Sequence, residues 1–162
     1  MTDSPLTVRL DFTMDFKERG YEPSYLFEGS FRFNKHYFPR PGELRQLTPG
    51  AKADLTEEVR CALHLDSLPE VEFWVRNLAN KSSSFRLQTS TDWFYPDFVC
   101  QLKDGRILVV EYKGQGLYTA DDAKEKRALG EVWESRSNGR CLFVMPTNND
   151  FSVIDRKVRG TP

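Results

Sequence analysis

Tyr95-Pro96-Asp97-Phe98-Val99-Cys100-Gln101-Leu102-Lys103-Asp104-Gly105-Arg106-Ile107-Leu108-Val109-Val110-Glu111-Tyr112-Lys113 is the stretch that decides the fold. Two apolar runs flank Lys103-Asp104-Gly105, which predicts an antiparallel hairpin with strands over 94–102 and 106–113. The length of the turn determines what faces what. A two-residue Asp104-Gly105 turn would pair Lys103 with Arg106 and set Phe98 opposite Glu111, sending Asp97 to the other side. A three-residue loop, with Gly105 in the left-handed position of a bulge, pairs Leu102 with Arg106 and therefore Asp97 with Glu111. Lys113, two residues further on, then shares the Glu111 face. The opposite face collects Phe98, Cys100, Leu108, Val110 and Tyr112, an apolar set suited to a core.

Working outward, Leu6, Val8, Leu10, Phe12, Met14 and Phe16 alternate with other residues at the period of a half-buried strand. The aromatic-rich stretch 25–38 continues as strand, its Phe27, Phe31, Phe33, Tyr37 and Phe38 reading as core. Pro39, Pro41, Gly42, Pro49 and Gly50 mark a loop and a subdomain border. Asp54 followed by Glu57 has capping-box spacing, and Leu55, Val59 and Ala62 recur at helical intervals, so a helix is expected over 54–65. Ser67, Pro69 and Glu70 repeat the start signal, and Val71, Trp74, Val75 and Leu78 then predict a second helix to about Ala79. Phe85 and Leu87 suggest a short strand. Asp122 and Glu125, followed by Leu129, Val132 and Trp133, predict a further helix, and Cys141 to Met145 a buried strand. The expected fold class is α/β, a central mixed sheet flanked by helices in residues 51–162, preceded by a β-rich extension over 1–50.

Composition excludes several classes. The 162 residues suffice for one ordinary core. Twenty-three basic against 24 acidic residues give no excess of positive charge to hold a polyanion by electrostatics alone. Cys61, Cys100 and Cys141 are odd in number and widely spaced, which argues against a disulfide framework and a zinc site and fits a reducing cytoplasm. His36 and His64 have no partner at metal-ligand spacing and read as structural or surface residues. No apolar run approaches the length that crosses a bilayer, so no membrane association is expected. Arg76, Lys81 and Arg86 would track a nucleic-acid backbone or simply form a solvated face.

The hairpin carries the chemistry. Directly opposed residues have Cβ atoms about 4.5 to 5.5 Å apart, and two carboxylates so placed repel unless a cation or proton lies between them. Hard oxygen ligands with open positions suit magnesium, with manganese able to substitute. Such an ion polarises a phosphodiester, and a neighbouring ammonium such as that of Lys113 steadies developing negative charge.

Tyr-Pro-Asp-Phe, the Asp-Gly turn and Val-Val-Glu-Tyr-Lys-Gly resemble the PD-(D/E)XK nuclease signature. Residues 37–146, including Glu57-Glu58-Val59-Arg60-Cys61-Ala62 and Phe73-Trp74-Val75-Arg76-Asn77-Leu78, resemble the C-terminal endonuclease domain of type III restriction subunits and related defence helicases. The resemblance implies a restriction-endonuclease-like core, a magnesium-dependent endonuclease acting on DNA, and a helicase or translocase motor or a methyltransferase as partner, with a homodimer also compatible. No G-x-x-x-x-G-K-[ST] phosphate loop is present, so the motor is not in this chain. It further implies catalytic roles for Asp97, Glu111 and Lys113, with Asp97 and Glu111 as metal ligands. A third acidic ligand is implied on the preceding helix, Glu58 or alternatively Glu57, although either would equally favour the helix dipole. Lys126 and Gln115 are implied to approach the substrate phosphate, Lys126 serving as readily as an amphipathic side chain along the core. A catalytically inactive nuclease fold, used for DNA binding or docking, is the competing expectation.

Overall fold

Gly105 has φ 93°, a backbone conformation open to glycine, and it ends the three-residue loop Lys103-Asp104-Gly105. Leu102 N–H donates to the Arg106 carbonyl at 2.9 Å, and Gly105 N–H to the Leu102 carbonyl at 3.0 Å. In this computed structural model, which describes residues 32–38, 56–79, 84–114 and 120–161, the loop joins β4 (Phe98–Leu102) to β5 (Ile107–Val110). Phe98 pairs with Val110 and Cys100 with Leu108, the register expected of the bulged turn. A one-residue slip would have turned every side chain of one strand to the wrong face.

The hairpin is the centre of a four-stranded sheet in the order β1-β4-β5-β6. β1 (Val71–Arg76) pairs antiparallel with β4, and β6 (Cys141–Val144) pairs parallel with β5. Two short strands, β2 (Leu87–Gln88) and β3 (Trp93–Phe94), form a separate antiparallel ribbon. Helix α1 (Glu57–Ser67) precedes the sheet, α2 (Ala120–Arg136) makes the crossover between β5 and β6, and α3 (Ser152–Arg159) follows β6. The fold is α/β, with a mixed sheet flanked by helices as the sequence predicts.

Both sheet faces are buried. On one, Phe98, Cys100, Leu108, Val110 and Tyr112 pack with α1 through Val59, Ala62 and Leu65, and with α3 through Ile154 and Val158. On the other, Val99, Val109, Phe143 and Cys141 pack with Trp133 of α2, with Phe85, and with Leu87 and Phe94 of the small ribbon. Cores covered on both faces produce near-continuous apolar strands, as in Ile107-Leu108-Val109-Val110. α2 can approach β6 only because position 130 is glycine: a Cβ there would lie 2.1 Å from the Phe143 ring.

Several local expectations change: Asp122, expected to cap α2, lies inside its first turn, and residues 32–38, expected as strand, are bends with one bridge. The helix expected over 67–79 is instead β1. Val71, Trp74, Val75 and Leu78 have helical spacing, but the run Val71-Glu72-Phe73-Trp74-Val75-Arg76 is β-branched and aromatic and pairs with β4 along its length. The strand expected over 94–102 is interrupted at Tyr95-Pro96-Asp97, where proline cannot donate to the ladder. The first helix is capped by Thr56, whose hydroxyl accepts from Val59 N–H at 3.3 Å; Asp54 and Leu55 lie outside the described residues. So does most of the 1–50 extension, including the strand expected at 6–16. Its described part, 32–38, lies against β1: His36 bridges Trp74, Phe33 meets the Trp74 ring edge-on at 5.2 Å, and Tyr37 is exposed. Among the described residues no helix is long and apolar enough to cross a membrane.

Two predictions follow from this packing. Gly130→Ala should destabilise the fold by about 1 to 3 kcal/mol through overpacking against Phe143, despite alanine's better helix propensity, as read from a urea midpoint. The second concerns acid. His36 Nε2 accepts the Arg76 N–H at 3.2 Å while Nδ1 contacts the Phe38 carbonyl at 3.0 Å, an arrangement of neutral imidazole. Burial lowers its pKa to about 4, against the opposing pull of the Phe38 carbonyl and Asp66. The unfolded chain therefore takes up the proton first. Stability from this residue is complete above pH ~6.5, declines on acidification through the folded value, and is not lost further below it. The urea midpoint should accordingly fall more steeply between those limits for the native chain than for His36→Gln.

Candidate functional site

The extended backbone of β5 continues past its last strand residue. Glu111 N–H donates to the Val144 carbonyl at 3.1 Å and Lys113 N–H to the Pro146 carbonyl at 2.9 Å, and Lys113 forms a bridge with Thr147. The ladder stays in phase, which keeps Lys113 on the Glu111 side of the chain. On the neighbouring strand the ladder ends differently. In an unbroken register Tyr112 N–H would bond the Pro96 carbonyl. That carbonyl instead accepts from Asn77 Nδ2 at 2.8 Å, and Asp97 Oδ2 takes the Tyr112 N–H, also at 2.8 Å. The Asp97 carboxylate thus closes the sheet end, beside the residue that follows Glu111.

Each carboxylate has a cation of the protein beside it. Arg76 Nη1 donates to Asp97 Oδ1 at 2.8 Å and to the Asp97 carbonyl at 3.0 Å, while its Nη2 reaches Glu58 Oε2 at 3.2 Å. The Arg76 guanidinium also lies over the Phe98 ring, 5.4 Å from its centre. On the other side, Lys126 Nζ from α2 lies 3.3 Å from Glu111 Oε1 and 5.0 Å from the centre of the Phe94 ring. Glu111 is only 1% exposed, so this pair is shielded from water. Lys113 forms no ion pair with any described residue. Beneath the site, burial and the nearby Asp97 carboxylate push the Cys61 thiol far up, so Cys61 stays protonated and inert.

The sequence-predicted residues are therefore gathered, though not as a row of open carboxylates. Asp97 and Glu111 each lie one residue beyond the last ladder pair, Phe98 with Val110, with Lys113 beyond and Lys126 joining from α2. Glu58 reaches Asp97 through Arg76. Its neighbour Glu57 turns elsewhere, accepting from Asn149 Nδ2 at 3.3 Å near the Tyr112 hydroxyl. Gln115 lies outside the described residues, as does Lys81. Among the described residues no three His, Cys, Asp or Glu side chains are grouped to hold a metal ion. The two carboxylates that could hold an ion at this end are Asp97 and Glu111, and both Asp97 oxygens already accept hydrogen bonds, from Arg76 Nη1 and Tyr112 N–H. Magnesium accepts a two-carboxylate seat, because it keeps several waters and needs no all-protein cage.

Two residues went unrecognised in the sequence. Arg76 reads there as part of a solvated basic face, yet it is 8% exposed and joins Glu58 to Asp97. Asn77, 3% exposed, anchors the site loop: its N–H holds the Asp97 carbonyl at 2.8 Å, and its amide bonds the Phe85 carbonyl and N–H as well as the Pro96 carbonyl. A polar pair ending an apolar run is the one signal available for either. Compared with known proteins, the chain matches no family model, no curated protein and no solved structure.

Arg76→Met should cost about 3 kcal/mol, the low end for removing one partner of a buried pair, because Glu58 retains contact with water. Chemical denaturation measures this, and adding Asp97→Asn to the Arg76→Met chain should recover part of the loss.

Proposed function

We propose that this chain is a magnesium-dependent DNA endonuclease with a restriction-endonuclease-like core of the PD-(D/E)XK type, working in restriction or phage defence alongside a helicase motor or methyltransferase partner. The observation that carries the reading is the hairpin register, which brings Asp97, Glu111 and Lys113 to one strand end through the bulge at Gly105.

Asp97 and Glu111 would hold the ion, and manganese would replace magnesium there. When bound, the ion polarises the phosphodiester and acidifies its water. The chain's own residues supply the rest. Lys113 presents an ammonium to the negative charge that develops on phosphate oxygens. Tyr112 N–H and Asn77 fix the Asp97 carboxylate and its loop, so the group is oriented before substrate arrives. Lys126 sits against Glu111 and is poised to transfer its contact to a substrate phosphate. Arg76 offsets the charges of Asp97 and Glu58, which lowers the repulsion a polyanion would meet.

A second reading is favoured by the same ion pairs: Arg76 and Lys126 already neutralise the carboxylates, as a catalytically inactive DNA-binding or docking module would require. Plasmid nicking in magnesium or manganese distinguishes the two. The endonuclease reading expects nicking that falls about a hundredfold or more in each of Asp97→Ala, Glu111→Ala and Lys113→Ala. Nicking that persists in all three variants refutes it. Saturable manganese binding that vanishes in Asp97→Asn supports catalysis, and absence of binding at millimolar metal supports docking.

A further inference from the structure

The ribbon β2–β3 lies directly upstream of Asp97 and is two-sided. Phe85, Leu87, Phe94 and Pro96 point into the core, whereas Arg86, Gln88 and Trp93 are exposed and Tyr95 is half-buried on the same outer side. Gln88 pairs directly with Trp93 across the ribbon. The Arg86 guanidinium stacks over the Trp93 indole at 4.3 Å, yet Trp93 remains 43% exposed. A single exposed apolar side chain needs no explanation. Here an indole is held flat by a cation, flanked by an amide and a second aromatic, and only four residues from Asp97, a span of at most about 14 Å.

We propose that this outer face is a stacking platform for an unpaired base of single-stranded DNA, and that it directs a single-stranded or frayed segment to the Asp97 end of the sheet. The inference rests on the endonuclease reading and narrows its substrate. With a net charge of −1 the chain has no excess of positive charge to hold DNA by phosphate neutralisation alone, so contacts indifferent to charge must add to the affinity. Base-on-aromatic stacking is such a contact, worth about 1 to 3 kcal/mol per base. Arg86 adds one cation beside the ring where a phosphate flanking the stacked base would lie. The amide of Gln88 can donate to or accept from a base edge. A duplex keeps its bases stacked on one another and offers no face to Trp93. Two acidic groups lie at the ribbon tip: Asp92, exposed beside Trp93, and Glu125 of α2, which is engaged by the Ser90 N–H and hydroxyl at 2.9 Å each.

The chain carries three tryptophans, and Trp74 and Trp133 are 0% and 2% exposed, so fluorescence that responds to a soluble ligand reports Trp93. The full chain is titrated with an oligothymidine, and separately with a duplex, in EDTA so that no cleavage occurs. The expected result is quenching by the single strand and none by the duplex. Salt dependence should be shallow, equivalent to about one or two phosphate contacts. By fluorescence anisotropy of labelled oligothymidine, Trp93→Ala should weaken binding about 5- to 100-fold, while Trp93→Phe retains most of it. Unchanged affinity in Trp93→Ala, or equal quenching by duplex, overturns the platform. Binding through Trp93 without cleavage by the native chain would sink the endonuclease reading alone, and cleavage with unaltered binding in Trp93→Ala would sink the platform alone.

Discussion

The positive φ of Gly105 constrains more of this molecule than any single contact does. It lets three residues, not two, connect β4 to β5, and that count sets which side chains meet. From it follow the pairing of Phe98 with Val110, the assignment of alternate residues to the two cores, and the coincidence of Asp97 and Glu111 at the far end of the hairpin. Turn and site lie at opposite ends of the same two strands. Which residues meet at the charged end is thus decided by backbone chemistry five residue pairs away.

Burial of both sheet faces explains why the charges collect where they do. Within the strands almost every position touches α2 on one side or α1 and α3 on the other, leaving no room for an unpaired ion. Charged groups are tolerated only where strands stop. At that edge Arg76, Asp97 and Glu58 form one chain of ion pairs and Glu111 with Lys126 another, each partly or wholly out of water. Three carboxylates and two cations in so small a volume leave one negative charge in excess.

Much of this was legible in the sequence, and the parts that were not share a cause. The hairpin could be read because its turn is local: Asp104-Gly105 between two apolar runs leaves few backbone solutions. Apolar spacing likewise located α1 and α2, although Thr56 caps the first and Asp122, expected as the cap of the second, lies inside its first turn. β1 was misread because apolar residues at 71, 74, 75 and 78 satisfy a helical stripe as well as a doubly buried strand, and only the partner strand decides between them. α3 was missed altogether. Its eight residues carry just two buried apolar positions, Ile154 and Val158, with Gly160 closing the helix at φ 67°. The roles of Arg76 and Asn77 were invisible for the same reason as β1: their partners are about twenty residues distant, and nothing in the local pattern names them.

The interruption of the long strand at Tyr95-Pro96-Asp97 has a structural meaning of its own. Had β3 and β4 been continuous, the Pro96 carbonyl would have completed the ladder and Asp97 would have projected from one face like any strand residue. Proline has no N–H to donate, and Asn77 captures the carbonyl, so the chain bends and the carboxylate itself takes the Tyr112 N–H. The bend also frees the preceding residues to pair separately as β2–β3. The same break therefore orients Asp97 and presents the Trp93 face beside it, making the ribbon's outer surface and the sheet's charged end parts of one local solution to placing a proline within a strand.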